Sequence, residues 1–245
     1  WILSRLTKLS KRLLHAYREY QFHIVYHGLY SFCVVDLSSL YLDILKDRLY
    51  VSHPRSPKRK SSQTAIFHIL NTLVRLMAPV ISFTAEEIWD HMPIKNKKES
   101  IHLETFLPVD EMLLLPDLEE RWERLWRIRE EANKVLEEKR KAKEIGHSLD
   151  AVLTIAGDED NLRFLRSFEE LRELFIVSIV NLRDLKDLGP EHNTAIDGLR
   201  IKVELSPFKK CDRCWIKDQT VIQVQGHGNL CKRCIHVLEE LKVLS

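Results

Sequence analysis

The 245 residues carry 38 Lys and Arg against 36 Asp and Glu, a net charge of +2, with 44% apolar content and five cysteines. That apolar share supports sizeable cores, two domains and a small metal-binding tail, whereas a charge so near neutral points to no particular partner. No apolar run approaches a membrane span and no signal-peptide pattern is present, so a soluble, reducing, cytoplasmic setting is expected. The chain opens on Trp1, already inside an amphipathic pattern, and reads as a fragment of a longer protein.

From Trp1 to about Tyr20 the residues Ile2, Leu6, Leu9, Leu13 and Tyr17 recur at helical spacing, with Arg5, Lys8, Arg12 and Arg18 off the stripe. The pattern predicts a second helix over about His23–Asp36 and a third from Ser38 or Ser39 to Tyr50. Val51 to Lys60 holds Pro54, Pro57 and the basic Lys58-Arg59-Lys60 and reads as a surface loop. A fourth helix over Ser62–Met77 should stop at Ala78-Pro79, because proline pushes its predecessor out of the helical region. Thr84-Ala85-Glu86-Glu87 offers a capping box for a fifth helix. Five helices with short connections predict an antiparallel bundle over residues 1–108. The scattered histidines 15, 23, 27, 68 and 91 show no ligand spacing, and Cys33 reads as a core residue.

A long helix is predicted from about Asp117 to Glu144, ending in Lys139-Arg140-Lys141 and Lys143 with Gly146 as its cap. The helix dipole favours cations there, so this basic run requires no RNA to explain it. Then the period changes. Ala151–Ile155, Ile176–Val180 and Leu199–Leu205 read as strands around a helix over Asn161–Phe175, a small α+β unit closing residues 109–205.

Residues 206–245 are organised by Cys211-Asp212-Arg213-Cys214 and Cys231-Lys232-Arg233-Cys234. Between them lie a strand-like Thr220–Val224 and the turn formers Gly226 and Gly228. Two C-x-x-C turns brought together by a hairpin supply four thiolates, the donor set of a tetrahedral structural zinc. A pair of disulfides would fit a secreted framework richer in cysteine, and a redox dithiol needs one pair only. Four cysteines fill such a site and leave no open position for catalysis. The tail carries seven cations against four acids, and a tetrathiolate zinc centre contributes about −2 to that balance. Trp215 beside the second ligand reads either as packing over the knuckle or as a stacking surface for a base.

The chain has no Gly-rich phosphate loop, G-x-S-x-G turn or HExxH. Trp1–Leu6, Tyr41–Tyr50, Leu73–Trp89 and the terminal Cys211-x-x-Cys214-Trp215 with Cys231-x-x-Cys234 together resemble bacterial-type isoleucyl-tRNA synthetases over essentially the whole chain. The first three stretches would also fit the valine and leucine enzymes; the terminal knuckle separates them, since valyl enzymes typically end in a coiled-coil arm. The H-I-G-H and K-M-S-K-S motifs of that family's catalytic domain are absent. The resemblance implies a mainly α architecture of anticodon-binding bundle, α+β junction and zinc knuckle. It further implies tRNA(Ile) as partner, one structural zinc, and ATP and magnesium only in a catalytic domain outside this stretch, in a protein acting as a monomer. Candidate tRNA contacts are Arg213, Trp215, Lys232 and Arg233 on the knuckle, Arg75 on the bundle, and Lys58, Arg59 and Lys60. The alternative is a stand-alone zinc-ribbon nucleic-acid-binding module attached to a helical scaffold, which leaves the bundle unexplained.

Overall fold

The apolar stripe of the first helix, α1 (Ile2–Arg18), becomes a core face: Ile2, Leu6, Leu9, Leu13 and Ala16 are buried in the computed structural model, which describes residues 1–244. Two compact units follow from the chain contacts, Trp1–Leu45 with Arg55–Glu120, and Lys46–Pro54 with Arg121–Ser245.

In the first unit α1 packs with α2 (Phe22–Ser31) and α4 (Pro57–Met77) around a core that joins Leu13, Val25, Leu29, Phe32, Leu73 and Leu76. Gly28 permits the close approach, since a Cβ there would meet Leu13 Cδ2 at 2.8 Å. The Tyr17 hydroxyl donates to the Leu76 carbonyl at 2.6 Å. A second cluster gathers Val74, Ala78, Trp89, Met92 and Ile101 around α5 (Ser82–His91).

Several expectations are corrected here. The second and third helices are one helix, Phe22–Tyr50, in which residues Phe32–Tyr41 are wound as a π-helix before α3 (Leu42–Tyr50). The i→i+5 bonding shifts the apolar stripe around the axis, so a 3.6-residue period splits the segment near Leu37-Ser38. This continuous helix is, by length and composition, apolar enough to cross a membrane, contrary to the expectation of no such run. Its inner face, however, carries the core residues Val25, Leu29 and Phe32 and the buried Asp36, whose Oδ1 accepts from Arg5 Nε at 3.1 Å. The basic triplet lies on a helix, not a loop: Pro57 takes the first helical position, where its missing N–H costs nothing, and α4 begins five residues earlier than expected. The capping box does not form, because α5 starts at Ser82 and leaves Thr84 inside its first turn.

The long helix α6 (Pro116–Lys141) starts in the first unit. Buried Glu119 accepts from the Ser4 hydroxyl and pairs with Lys8, while Ser4 Oγ accepts from Leu115 N at 3.2 Å. Burial pushes the Glu119 carboxyl up, but hydrogen bonds from Lys8 and Ser4 and the charges of Lys8 and Arg5 outweigh it and hold the group below its ordinary value of 4.5. A depressed carboxylate stabilises above its unfolded value and ceases to as pH falls through its folded one. Glu119→Gln is therefore expected to cost about 1.5–3 kcal/mol at pH 7 and to lose less than the wild type on acidification to pH ~3, read by urea unfolding at both pH values.

In the second unit β1 (Ala151–Gly157) lies between β2 (Ile179–Asp184), parallel to it, and β3 (Leu199–Leu205), antiparallel. A parallel neighbour requires a crossover, supplied by α7 (Glu159–Arg166) and α8 (Leu171–Phe175). The single helix expected there is broken between Arg166 and Leu171, and β2 starts three residues late because Ile176 is left-handed at φ 55°. The remainder of α6 docks on this unit, Arg129 Nε donating to the Leu174 carbonyl at 2.8 Å and Trp122 meeting Phe168 edge-on. Lys143 at φ 58°, not Gly146, turns the chain after α6. The C-terminal segment adds the hairpin β4 (Ile222–Val224) and β5 (Gly228–Leu230) and a helix not foreseen, α9 (Lys232–Glu240).

Candidate metal centre and nucleic-acid interface

Each C-x-x-C pair sits where the backbone turns sharply. Cys211 N donates to the Ile216 carbonyl at 2.9 Å and Trp215 N to the Cys211 carbonyl at 2.8 Å, closing the first turn, with Trp215 left-handed at φ 65°. Cys231 is the residue before α9, so Cys234 follows one turn into that helix. The hairpin brings the turns together: Asp212 N donates to the Asn229 carbonyl at 2.8 Å and Asn229 N to Asp212 Oδ2 at 2.7 Å. Gly228 is required at this crossing, as its φ is +77° and a Cβ would stand 2.5 Å from Asp212 Oδ2.

The result is four buried sulfurs all within 4.8 Å of one another. Zinc–sulfur bonds of ~2.3 Å at tetrahedral angles put neighbouring sulfurs ~3.8 Å apart, and Cys214 Sγ and Cys231 Sγ are separated by 3.8 Å. A disulfide would bring them to about 2.05 Å. Without metal the thiols share protons: hydrogen bonds from Cys214 and Cys234 hold Cys231 far below the usual thiol range, and the contact with Cys231 raises Cys214. Packing of four thiols at this distance fits a divalent ion that replaces their protons.

The sequence-selected cations fall into two sets. Arg213 and Arg233 turn inward. Arg213 Nη1 donates to the Val51 carbonyl at 2.7 Å, and Arg233 forms a two-pronged pair with Asp47. Arg75 is also committed: its side chain is 9% exposed, its Cζ lies 4.8 Å from the Trp89 ring centroid, and it bonds Asn71 and Glu104. Facing outward are Lys232 at the start of α9 and Trp215, 55% exposed. On α4, Lys58 and Lys60 are exposed and Arg59 is half-buried. All three occupy the first turn of that helix, where the dipole disfavours a cation by ~0.3–1 kcal/mol each. Helix stability therefore accounts for the basic end of α6 but not for this one. The structure adds Lys210, whose Nζ stands 4.8 Å over the Trp215 ring. Its signal in the sequence was the Lys209-Lys210 pair abutting Cys211.

Comparison with known proteins places this geometry. The family described as anticodon-binding domain of tRNA ligase matches residues 1–155, and the zinc finger found in FPG and IleRS matches residues 208–237. The chain belongs to the anticodon-binding domains of tRNA ligases. Its knuckle is a structural zinc site of the second family. Among individual proteins, the isoleucine–tRNA ligase of Caldanaerobacter subterraneus subsp. tengcongensis is 44% identical over 248 residues, 99% of this chain and 27% of that protein. Those of Syntrophotalea carbinolica and Syntrophomonas wolfei are 45% and 38% identical, each over 26% of its own length and over 98% and 99% of this chain. The chain thus spans about a quarter of the length of the curated relatives it matches.

Proposed function

We propose that this chain is the C-terminal, tRNA-holding part of an isoleucine–tRNA ligase. Residues 1–108 are its anticodon-binding bundle, 109–205 a junction and 206–245 the tail in which Cys211, Cys214, Cys231 and Cys234 ligate zinc. On this reading the whole protein joins L-isoleucine to tRNA(Ile) with ATP and magnesium, as a monomer in the cytoplasm, while this part performs no chemistry.

Anticodon bases are unstacked loop nucleotides, recognised by stacking and by hydrogen bonds to exposed base edges, with cations on phosphates setting register. The observation that carries the reading is Trp215: exposed, fixed in a left-handed turn between a metal ligand and buried Ile216, and covered on one face by Lys210. The other face is left for a base, and the ordering cost has been met by the knuckle. Lys210 over the Trp215 ring, Lys232 at the start of α9, and Lys58 and Lys60 on α4 supply phosphate contacts. Arg213, Arg233 and Arg75 act one step back, holding the surface in shape.

The test is binding of tRNA(Ile) and of an anticodon-swapped tRNA(Ile) at two salt concentrations, with zinc content measured on each sample. Trp215→Ala at full zinc occupancy is expected to lose about 1–3 kcal/mol toward the cognate loop and less toward the swapped one. Lys210→Ala and Lys232→Ala should weaken both tRNAs alike and flatten the salt dependence by about one phosphate each. Equal losses for cognate and swapped tRNA in Trp215→Ala would move base reading away from the knuckle. The chain is also expected to show no isoleucine-dependent exchange of pyrophosphate into ATP; exchange above background overturns the assignment.

A further inference from the structure

The knuckle's two arginines both reach the segment Lys46–Pro54, which precedes the knuckle by more than 150 residues yet belongs to the same compact unit. Asp47 receives Arg233 in a planar two-pronged pair, Nη1 to Oδ2 at 2.5 Å and Nη2 to Oδ1 at 2.7 Å. Four residues on, the Val51 carbonyl accepts from Arg213 Nη1, and that same nitrogen lies 3.7 Å from Cys234 Sγ. The Val51 side chain, 8% exposed, packs in one cluster with all four cysteines, Ile216 and Leu230. Between these two points Arg48 is gripped by Glu170 and, at 2.7 Å, by Glu173 on α8.

A tetrathiolate zinc centre keeps about −2 of charge, which at four buried sulfurs has to be met by donors. A guanidinium meets it well only when its orientation is fixed, since outer partners orient the groups around a metal and raise its affinity. Arg213 is that donor at Cys234, and what fixes it is a backbone carbonyl at the end of α3. Arg233, one residue before Cys234 and two after Cys231, is fixed by Asp47. An isolated surface pair contributes little, but here the pair is two-pronged, part-buried and continuous with an apolar contact to the ligands themselves.

We propose that Asp47 and the Val51 carbonyl are positioning groups for the zinc knuckle, so that the metal and the segment Lys46–Pro54 stabilise each other. The segment serves as a dock: it orients both arginines of the knuckle and closes one side of the sulfur cluster with Val51. Metal loading is thereby reported to the C-terminal end of the helix Phe22–Tyr50.

Two measurements on the 245-residue chain test this. The first compares hydrogen exchange of the zinc-loaded wild type with the same sample stripped by a chelator. The amides of residues 46–54 are expected to exchange about tenfold or more faster once zinc is removed, along with those of the knuckle. Unchanged protection of 46–54 beside a deprotected knuckle overturns the proposal, and no variant has to fold for that result. The second is zinc competition against a chromophoric chelator. Asp47→Ala is expected to lower zinc affinity roughly 10-fold to 100-fold, the double variant Asp47→Ala/Arg233→Ala to be no weaker than the worse single, and the exchange Asp47→Arg/Arg233→Asp to recover part of the loss. Wild-type zinc affinity in Asp47→Ala, or fully additive losses in the double variant, would sink it.

Discussion

Cys231→Ser is expected to abolish stoichiometric zinc binding and to unfold the knuckle while the first compact unit remains helical. A serine hydroxyl is a hard donor that resists deprotonation, whereas the site is built for four thiolates. Apparent binding free energies for structural zinc in small modules are ~10–16 kcal/mol at pH 7, and since no preformed site exists in the unfolded chain, that energy is folding energy. Around the metal there is little else: two three-residue strands, one short helix, and an apolar cluster in which the cysteines themselves are members. The first unit has its own clusters around Leu13, Leu73 and Trp89 and none of the four cysteines. Metal analysis with residue-level hydrogen exchange checks both halves. One zinc per chain with protected amides over 222–240 in the variant would show that the thiolates do not hold the fold. Because the ligands bind metal as thiolates, zinc loading should also fall with pH, with protons replacing the ion.

Trp89→Ala is the second large effect, an expected loss of about 3–5 kcal/mol in the stability of the first unit. The indole is fully buried, its Nε1 donates to the Lys98 carbonyl at 2.9 Å, and it centres the cluster of Val74, Ala78, Ala85, Met92 and Ile101. Two cations use its ring, Arg75 at 4.8 Å and Lys97 at 5.7 Å. Truncation would leave Arg75, whose buried Nε already has no hydrogen-bond partner, beside a cavity. That adds to the transfer and cavity terms the cost of a less well met buried charge. Trp89→Phe keeps an aromatic face but loses one ring of the indole and orphans the Lys98 carbonyl, and should cost roughly 1–3 kcal/mol. Urea unfolding followed by helical circular dichroism separates the two; a Trp89→Ala variant within ~0.5 kcal/mol of wild type would mean that the cluster repacks without it.

The sequence by itself determined the elements whose signals are local. The stripe of α1, the stop of α4 at Met77 before Ala78-Pro79, and the alternation of β3 over Leu199–Leu205 each follow from one period or one proline. The two C-x-x-C pairs likewise announced the metal, because ligand spacing within a turn is a property of a few consecutive residues. Tertiary structure alone decided what long-range partners fix. Phe22–Tyr50 is one helix in which Phe32–Tyr41 is wound as a π-helix, a change of period that no single repeat reveals. The basic triplet joins α4 instead of a loop because the helix continues back to Pro57. Most of all, Arg75, Arg213, Arg233, Lys232 and Lys210 are alike as letters. Only the fold places three of them against Trp89, Val51 and Asp47 and leaves Lys232 and Lys210 exposed, Lys210 over the Trp215 ring. A guanidinium's role is set by the acceptors within about 3 Å of it, and those come from residues up to 186 positions away.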